Sequence, residues 1–205
     1  MLTVSADRDD VERRLGSGEL ACPRCGGVLA GWGRARERQV RRLDGGVSRL
    51  VPRRARCRGC KRTHVLLPVT CLARRADEAA VIGLALEAKA AGAGHRTIAG
   101  VLGRPPSTVR GWLRAFATSA DRVRQAFTAL TAGLVTDPPL PAPAGSALAD
   151  AVAAVAAAAA AAARFLGVGE VARWRLAAAV TSGMLLAPSW PAGMINASWP
   201  WAAGG

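Results

Sequence analysis

Four cysteines constrain this chain more than any other feature. Cys22-Pro-Arg-Cys25 and Cys57-Arg-Gly-Cys60 are two C-x2-C pairs with 31 residues between them. A C-x2-C turn aims two thiolates at one point, and two such turns complete a tetrahedral shell of soft ligands, the arrangement zinc prefers. Pro23 and Gly26 favour a tight reversal in the first turn, and Gly59 in the second. A redox dithiol would be a single C-x-x-C beside a βαβ pattern, which is absent. Four thiolates also leave no open coordination position for water, so one structural Zn2+ is expected and not a catalytic ion. His64 follows Cys60 by four residues and reads as a strand histidine, solvated or packed on the ribbon, before it reads as a ligand or phosphate contact. Cys71 lies outside the spacing and reads as a small buried apolar residue.

The segment between the pairs has the pattern of β-structure. Arg36 to Leu43 and Val47 to Arg56 flank the turn sequence Asp44-Gly45-Gly46, and Thr63 to Leu67 can add a third strand. This is the layout of a zinc ribbon. Pro52 falls within the second run, so that strand is expected to be an edge or to break there. Large apolar residues are few, so the ion, worth on the order of 10 kcal/mol or more in small domains, is the expected core.

Charge narrows the class of partner. The 205 residues carry 28 Lys plus Arg against 14 Asp plus Glu, a net +14, and all but Lys61 and Lys89 of the basic residues are arginine. Such a balance points to a polyanion, with double-stranded DNA ahead of a membrane. The excess is +11 over residues 1–75, +3 over 76–136 and zero beyond. Residues 1–20 hold mixed charges and no apolar run, so no secretory leader is expected and a reducing, cytoplasmic, nucleoid-associated setting is. Ala151 to Ala163, the longest uncharged apolar stretch, is too short to cross a bilayer, and no membrane association is expected.

Helical periodicity takes over at residue 77. Asp77 can cap a helix from Glu78 to about Ala91, with Ile82, Leu86 and Ala90 on one face and Val81, Leu84 and Ala88 widening it. A short helix, His95 to Leu102, then meets Gly103-Arg104-Pro105-Pro106, and a third helix, which Ser107 can cap, runs to about Thr118. Ile98, small Ala99 and Leu102 face Val109, Trp112, Leu113 and Phe116 across the turn. These are the small, turn and apolar positions of a helix-turn-helix. Ser107, Thr108, Arg110, Gly111 and Arg114 lie outside the apolar face, where a recognition helix meets a major groove, and Arg110 is the best candidate for a guanine edge. Arg96, at the start of the second helix, can hold a phosphate, with His95 a plain helix-start residue. Arg36, Arg38, Arg54 and Arg56 on the ribbon complete the expected DNA-binding set.

Over residues 20–118 these motifs resemble the N-terminal portion of bacterial ISL3-type transposases, and more closely a group of short actinobacterial helix-turn-helix proteins of the DUF6431 type. The resemblance rests on the two cysteine pairs, Thr63-His64-Val65-Leu66-Leu67-Pro68, Gly94-His95-Arg96-Thr97-Ile98-Ala99 and Ser107-Thr108-Val109-Arg110-Gly111-Trp112-Leu113-Arg114. It implies binding to transposon-end DNA. Lys61 stands where such ribbons often have Gly, which alters the local turn. The catalytic part of a transposase is not expected: the only acids beyond residue 118 are Asp121, Asp137, Asp150 and Glu170, without the β-rich frame that gathers carboxylates around two metals.

The expected organisation is an N-terminal segment (1–19), a four-cysteine zinc ribbon (20–75), a helix-turn-helix domain (76–136), a proline-rich linker (137–146) and an alanine-rich helical region with a Trp/Pro tail (147–205). In the last, Ala147 to Phe165 and Glu170 to about Ser182 are expected helices, the latter packing Val171, Trp174, Ala178 and Leu185. With few charges to solvate its outer face, this region could pair two copies into a homodimer. The fold class is thus mainly α with a small β zinc ribbon. The function expected is non-catalytic DNA binding; the alternative is a protein-binding adaptor whose ribbon and tryptophan tail hold a partner. An RNA binder fits less well, because Trp32 is the only aromatic before Trp112.

Overall fold

The computed structural model describes residues 1–138 and 141–187. Trp190, Trp199 and Trp201 of the expected tail lie outside them. The described residues form seven helices and a small β component. Four strands make one sheet in the order β1-β6-β5-β2: β1 is Leu2–Val4, β2 Leu29–Arg34, β5 Arg53–Cys57 and β6 Thr63–Pro68. A separate antiparallel hairpin joins β3 (Arg38–Arg41) to β4 (Val47–Leu50) through the Asp44-Gly45-Gly46 turn.

Pro52 does break the second run. The chain leaves the hairpin at Leu50 and re-forms as β5, which pairs with β2 on one side and β6 on the other, while the Pro52 carbonyl accepts a hydrogen bond from Ala35 N at 2.7 Å. The expectation that metal must be the whole core of this region is corrected by the N-terminal segment. There β1 pairs parallel with β6, and helix α1 (Arg8–Gly16), capped by Asp7, packs against β2. Leu2, Val4, Val11, Leu15 and Leu20 thereby join Leu29, Ala55 and Leu66 in an apolar cluster that reaches Cys22 and Cys57. Residues that precede the first cysteine in sequence supply the hydrophobic burial the ribbon lacks.

Helices α2 (Ala79–Ala90), α3 (His95–Leu102), α4 (Pro106–Ala117), α5 (Ala120–Leu134), α6 (Ala147–Leu166) and α7 (Arg173–Val180) share a second, larger core. Ile98, Ala99, Val109, Trp112, Leu113 and Phe116 are buried between α3 and α4 and their neighbours, as the spacing anticipates. Gly103 closes α3 in the left-handed conformation at φ +60. Two expected caps are corrected. Glu78, not Asp77, is the N-cap residue of α2, and Asp77 is buried between two arginines, accepting from Arg104 Nε at 2.5 Å and Arg41 Nη1 at 3.2 Å. At α4 the cap position is Pro105 with Pro106 in the first turn, so Ser107 is already helical; proline suits that turn because its missing N–H has no intrahelical partner to lose. Leu84, placed by periodicity on the buried face of α2, is 38% exposed.

Helix α5 has no counterpart in the sequence reading and carries much of this core. Its buried Val123, Phe127 and Leu130 supply the bulk that α6 lacks, while the alanines of α6 let the two helices approach closely. By length and hydropathy α6 could span a bilayer, yet Ala151, Val155, Ala158 and Ala162 are buried against other helices of the same chain, as in a core helix. The apolar face expected to pair two copies is therefore largely covered from within. Helix α7 is shorter than expected, beginning after Glu170, and buries Trp174 and Ala178 with Leu185 just beyond.

Gly83 of α2 shows how tightly α7 docks. A Cβ there would collide with the Trp174 indole, whose Nε1 donates to Glu87 Oε1 at 2.8 Å. On an exposed helix Gly83→Ala would gain about 1 kcal/mol. Here it is expected to cost about 1–3 kcal/mol through overpacking, measured by denaturant unfolding; a more stable variant would refute this docking.

Candidate metal centre

The two cysteine turns are built by reciprocal backbone hydrogen bonds. Cys22 N donates to Gly27 O at 2.8 Å and Gly26 N to Cys22 O at 2.9 Å; in the second turn Cys57 N donates to Arg62 O at 2.9 Å and Lys61 N to Cys57 O at 3.1 Å. Arg58 N reaches Val28 O at 2.9 Å and ties one turn to the other. Each turn reverses through a left-handed residue directly after its second cysteine, Gly26 at φ +71 and Lys61 at φ +61. The second reversal thus falls on Lys61 and not on Gly59, and the Lys61 ammonium folds back to donate to Arg58 O at 2.7 Å.

The four sulfurs lie within 4.8 Å of one another. Cys22 and Cys60 are 3.7 Å apart and Cys25 and Cys57 3.5 Å. Four sulfurs bonded at about 2.3 Å to a tetrahedral ion stand about 3.8 Å apart, so the cluster can hold a metal ion such as zinc. Hydrogen bonding from the Gly27 backbone, then from the Cys57 and Cys60 side chains, holds the Cys25 thiol down to about 6. It is therefore largely thiolate at neutral pH, the form that binds metal. Cys22 and Cys57 are buried, Cys60 half-buried and Cys25 exposed, which leaves one side of the cluster open to an entering ion.

His64 belongs to this centre as a neighbour. It is buried on β6 opposite Ala55, with Nε2 3.3 Å from Cys22 Sγ. Burial chiefly, then the positive charges of the N-terminus and Arg62, pulls its pKa down and keeps the ring neutral. Its Nδ1 is buried without a partner, so a proton on Nε2 serves the Cys22 sulfur best. The C-x2-C spacing gives no hint of this; the position of His64 in a strand leaving the second turn is the only sequence signal. Cys71 is buried with Val40 and Leu67, as expected, and burial pushes its thiol pKa up.

The other expected contact residues separate by exposure. Arg96, Ser107, Arg110 and Arg114 are exposed on α3 and α4, Thr108 is half-buried, and Arg36 and Arg54 are exposed near and on the sheet. Arg56 is half-buried, its guanidinium 4.6 Å over the Trp32 ring and its Nε donating to Lys61 O at 3.1 Å. Arg38 is also half-buried, with Nε and Nη2 inaccessible and unpartnered. Arg56 is thus engaged within the protein, while Arg38 is partly withdrawn from solvent.

Purified chain is expected to hold about one metal ion, read by elemental analysis, and Cys22→Ser with Cys57→Ser to lose it together with the sheet's chemical-shift dispersion. A double variant with unchanged spectra would dismiss the metal. A left-handed lysine costs roughly 1 kcal/mol, partly returned by glycine's greater chain entropy, so Lys61→Gly is expected to leave metal content intact and stability equal or higher by up to about 1 kcal/mol; a marked loss in thermal unfolding would show that the Lys61 ammonium contact dominates.

Among known proteins, no curated protein and no solved structure matches the chain. Residues 22–109, from the first cysteine into α4 and less than half of the chain, match DUF6431, a domain of unknown function.

Proposed function

We propose that this chain is a non-catalytic double-stranded DNA-binding protein, transposon-related or a transcriptional regulator, in which the four cysteines hold one structural Zn2+ and α3 and α4 act as a helix-turn-helix. The observation that carries this reading is the division of α4. Val109, Trp112, Leu113 and Phe116 are buried, while Ser107, Arg110, Gly111 and Arg114 stand exposed on the outside of the same helix. A short, rigidly packed helix with two free arginines is the usual way to meet base edges in a major groove. Arg96 at the first turn of α3 suits a backbone phosphate.

Zinc suits the all-sulfur set at tetrahedral spacing better than hard, oxygen-seeking ions such as Mg2+ or Ca2+ do, and four thiolates fill its usual shell without an open position. Its role is to fix the sheet and hairpin, from which Arg36 and Arg54 add phosphate contacts; Arg56, stacked on Trp32, and Arg38, partly withdrawn from solvent, contribute less. The chain's resemblance to the DNA-binding portion of ISL3-type transposases agrees with this reading, and its charge of +14 suits a polyanion. The adaptor alternative, in which the ribbon and tryptophan tail hold a partner, would gain a further surface in a shallow apolar groove between α2 and α3 lined by Leu84, Ile98 and Val101, the last 82% exposed.

Salt titration separates the two. Duplex binding is expected to weaken by roughly 0.9 in log K per neutralised phosphate for each decade of salt, and a flat response favours the adaptor. On a site selected from random duplexes, Arg110→Ala is expected to cost about 1–3 kcal/mol and to relax preference at one base pair. Equal weakening on every sequence makes Arg110 a phosphate contact.

A further inference from the structure

Between the sheet and the turn that follows α7 lies a cavity of about 710 Å³ that neither the metal centre nor the α4 surface uses. Four arginines line it: Arg36 and Arg38 before and within β3, and Arg74 and Arg75 from the loop between β6 and α2. No carboxylate lines it, and none of the four forms an ion pair among the described residues. Nor do residues 188–205, which follow the turn, contain an Asp or Glu. Arg38 lies beside the Cys71 thiol, which burial keeps protonated, so no thiolate offsets its charge.

Guanidinium nitrogens are buried here without partners: Nε and Nη2 of Arg38 and Nε of Arg75. Among the described residues, the well-buried Arg14 and Arg104 side chains are matched by acids, Glu19 and Asp77. Arg74 is held at φ +58, a left-handed conformation unfavourable for a side chain of this kind. The loop that turns it towards the cavity is pinned by Ala73 N donating to Gly183 O at 2.8 Å. Gathering four like charges at one mouth raises the energy of the empty site, and an anion relieves it.

We propose that this cavity binds a small phosphate ester. Arginine's planar fork matches a phosphoryl group through paired hydrogen bonds. The wall behind the arginines is apolar, formed by Leu67 and Met184 among others, so a bare anion would leave it uncovered while an ester lays its carbon body along it. The volume falls in the range of small-ligand sites, about 300–1,000 Å³. This site shares Arg36 with the proposed duplex contacts but uses nothing from α4, so Arg110→Ala and the Arg74 and Arg75 variants tell the two readings apart.

The test is calorimetric titration of the full-length, metal-loaded chain in chloride buffer with adenosine 5′-monophosphate, inorganic phosphate and adenosine. The monophosphate is expected to bind more tightly than phosphate, and adenosine not at all. Arg38→Gln and Arg75→Gln are expected to weaken the monophosphate by about tenfold or more, with metal content and circular dichroism unchanged. Should either variant misfold, Arg36→Gln and Arg74→Gln, both at exposed positions, must weaken it severalfold. Arg110→Ala must leave it unchanged. The proposal is overturned if adenosine binds as well as its phosphate, if phosphate binds as tightly as the ester, if the arginine variants leave binding intact, if no ester binding occurs at millimolar concentration, or if duplex DNA alone depends on these arginines.

Discussion

A buried carboxylate ties the hairpin to the turn between two helices at the junction of the two halves of this molecule. Asp77 takes one guanidinium from the hairpin, Arg41, and one from the turn between α3 and α4, Arg104. Backbone hydrogen bonds run beside it, with Arg41 N on Ala76 O and Glu78 N on Arg41 O. A charge withdrawn from water requires such company, since the desolvation penalty of an ion in the interior is several kcal/mol. The stringency of that requirement gives the contact its directional character: apolar surfaces can slide, whereas a carboxylate shared by two arginines has few acceptable geometries. It anchors the turn between α3 and α4 to the hairpin beside the cysteine-bearing sheet.

The two halves solve the problem of small size differently. The sheet draws on a chelate cluster and on apolar side chains borrowed from β1 and α1. The helical half relies on packing alone, with alanines on α6 set against phenylalanine, leucine and valine on α5 and an indole pressed onto glycine at α2. Such complementarity of large against small is what lets a helix with almost no bulky side chains form a core.

Some of this is visible in the sequence because the physics there is local. The cysteine turns require fixed short spacings, so Cys22, Cys25, Cys57 and Cys60 can be read directly, and the burial of Ile98, Val109, Trp112 and Phe116 follows from periodicity within a few turns of helix. Pro52 announces its own break. What stays hidden depends on distant partners. Leu2 to Val4 is too short to stand out as a strand, and its neighbour in the sheet is more than sixty residues away. Asp77 has the composition of an N-cap and reads as one, because a cap can be inferred from adjacent residues and a shared ion pair cannot. Helix α5 has an ordinary amphipathic pattern lying between a strong motif and a conspicuous proline run. Arg38 and Arg56 read as DNA contacts, and only their partial burial and the Trp32 stack set them apart from Arg36 and Arg54.

The edge strand β1 also touches the far end of the described chain, where the Thr3 hydroxyl donates to Ala179 O at 3.3 Å. Strand β1 emerges from the ribosome early, but its sheet partner must be made before it can pair, and α7 follows only much later. Until then Leu2 and Val4 wait without their full burial. Closing so wide a loop is entropically unfavourable and slow compared with forming the α3–α4 pair. The order of events during synthesis is thereby biased: the cysteine sheet, whose strands all end by Pro68, can close first, the local α3–α4 pair next, and the seam between the two ends of the fold last.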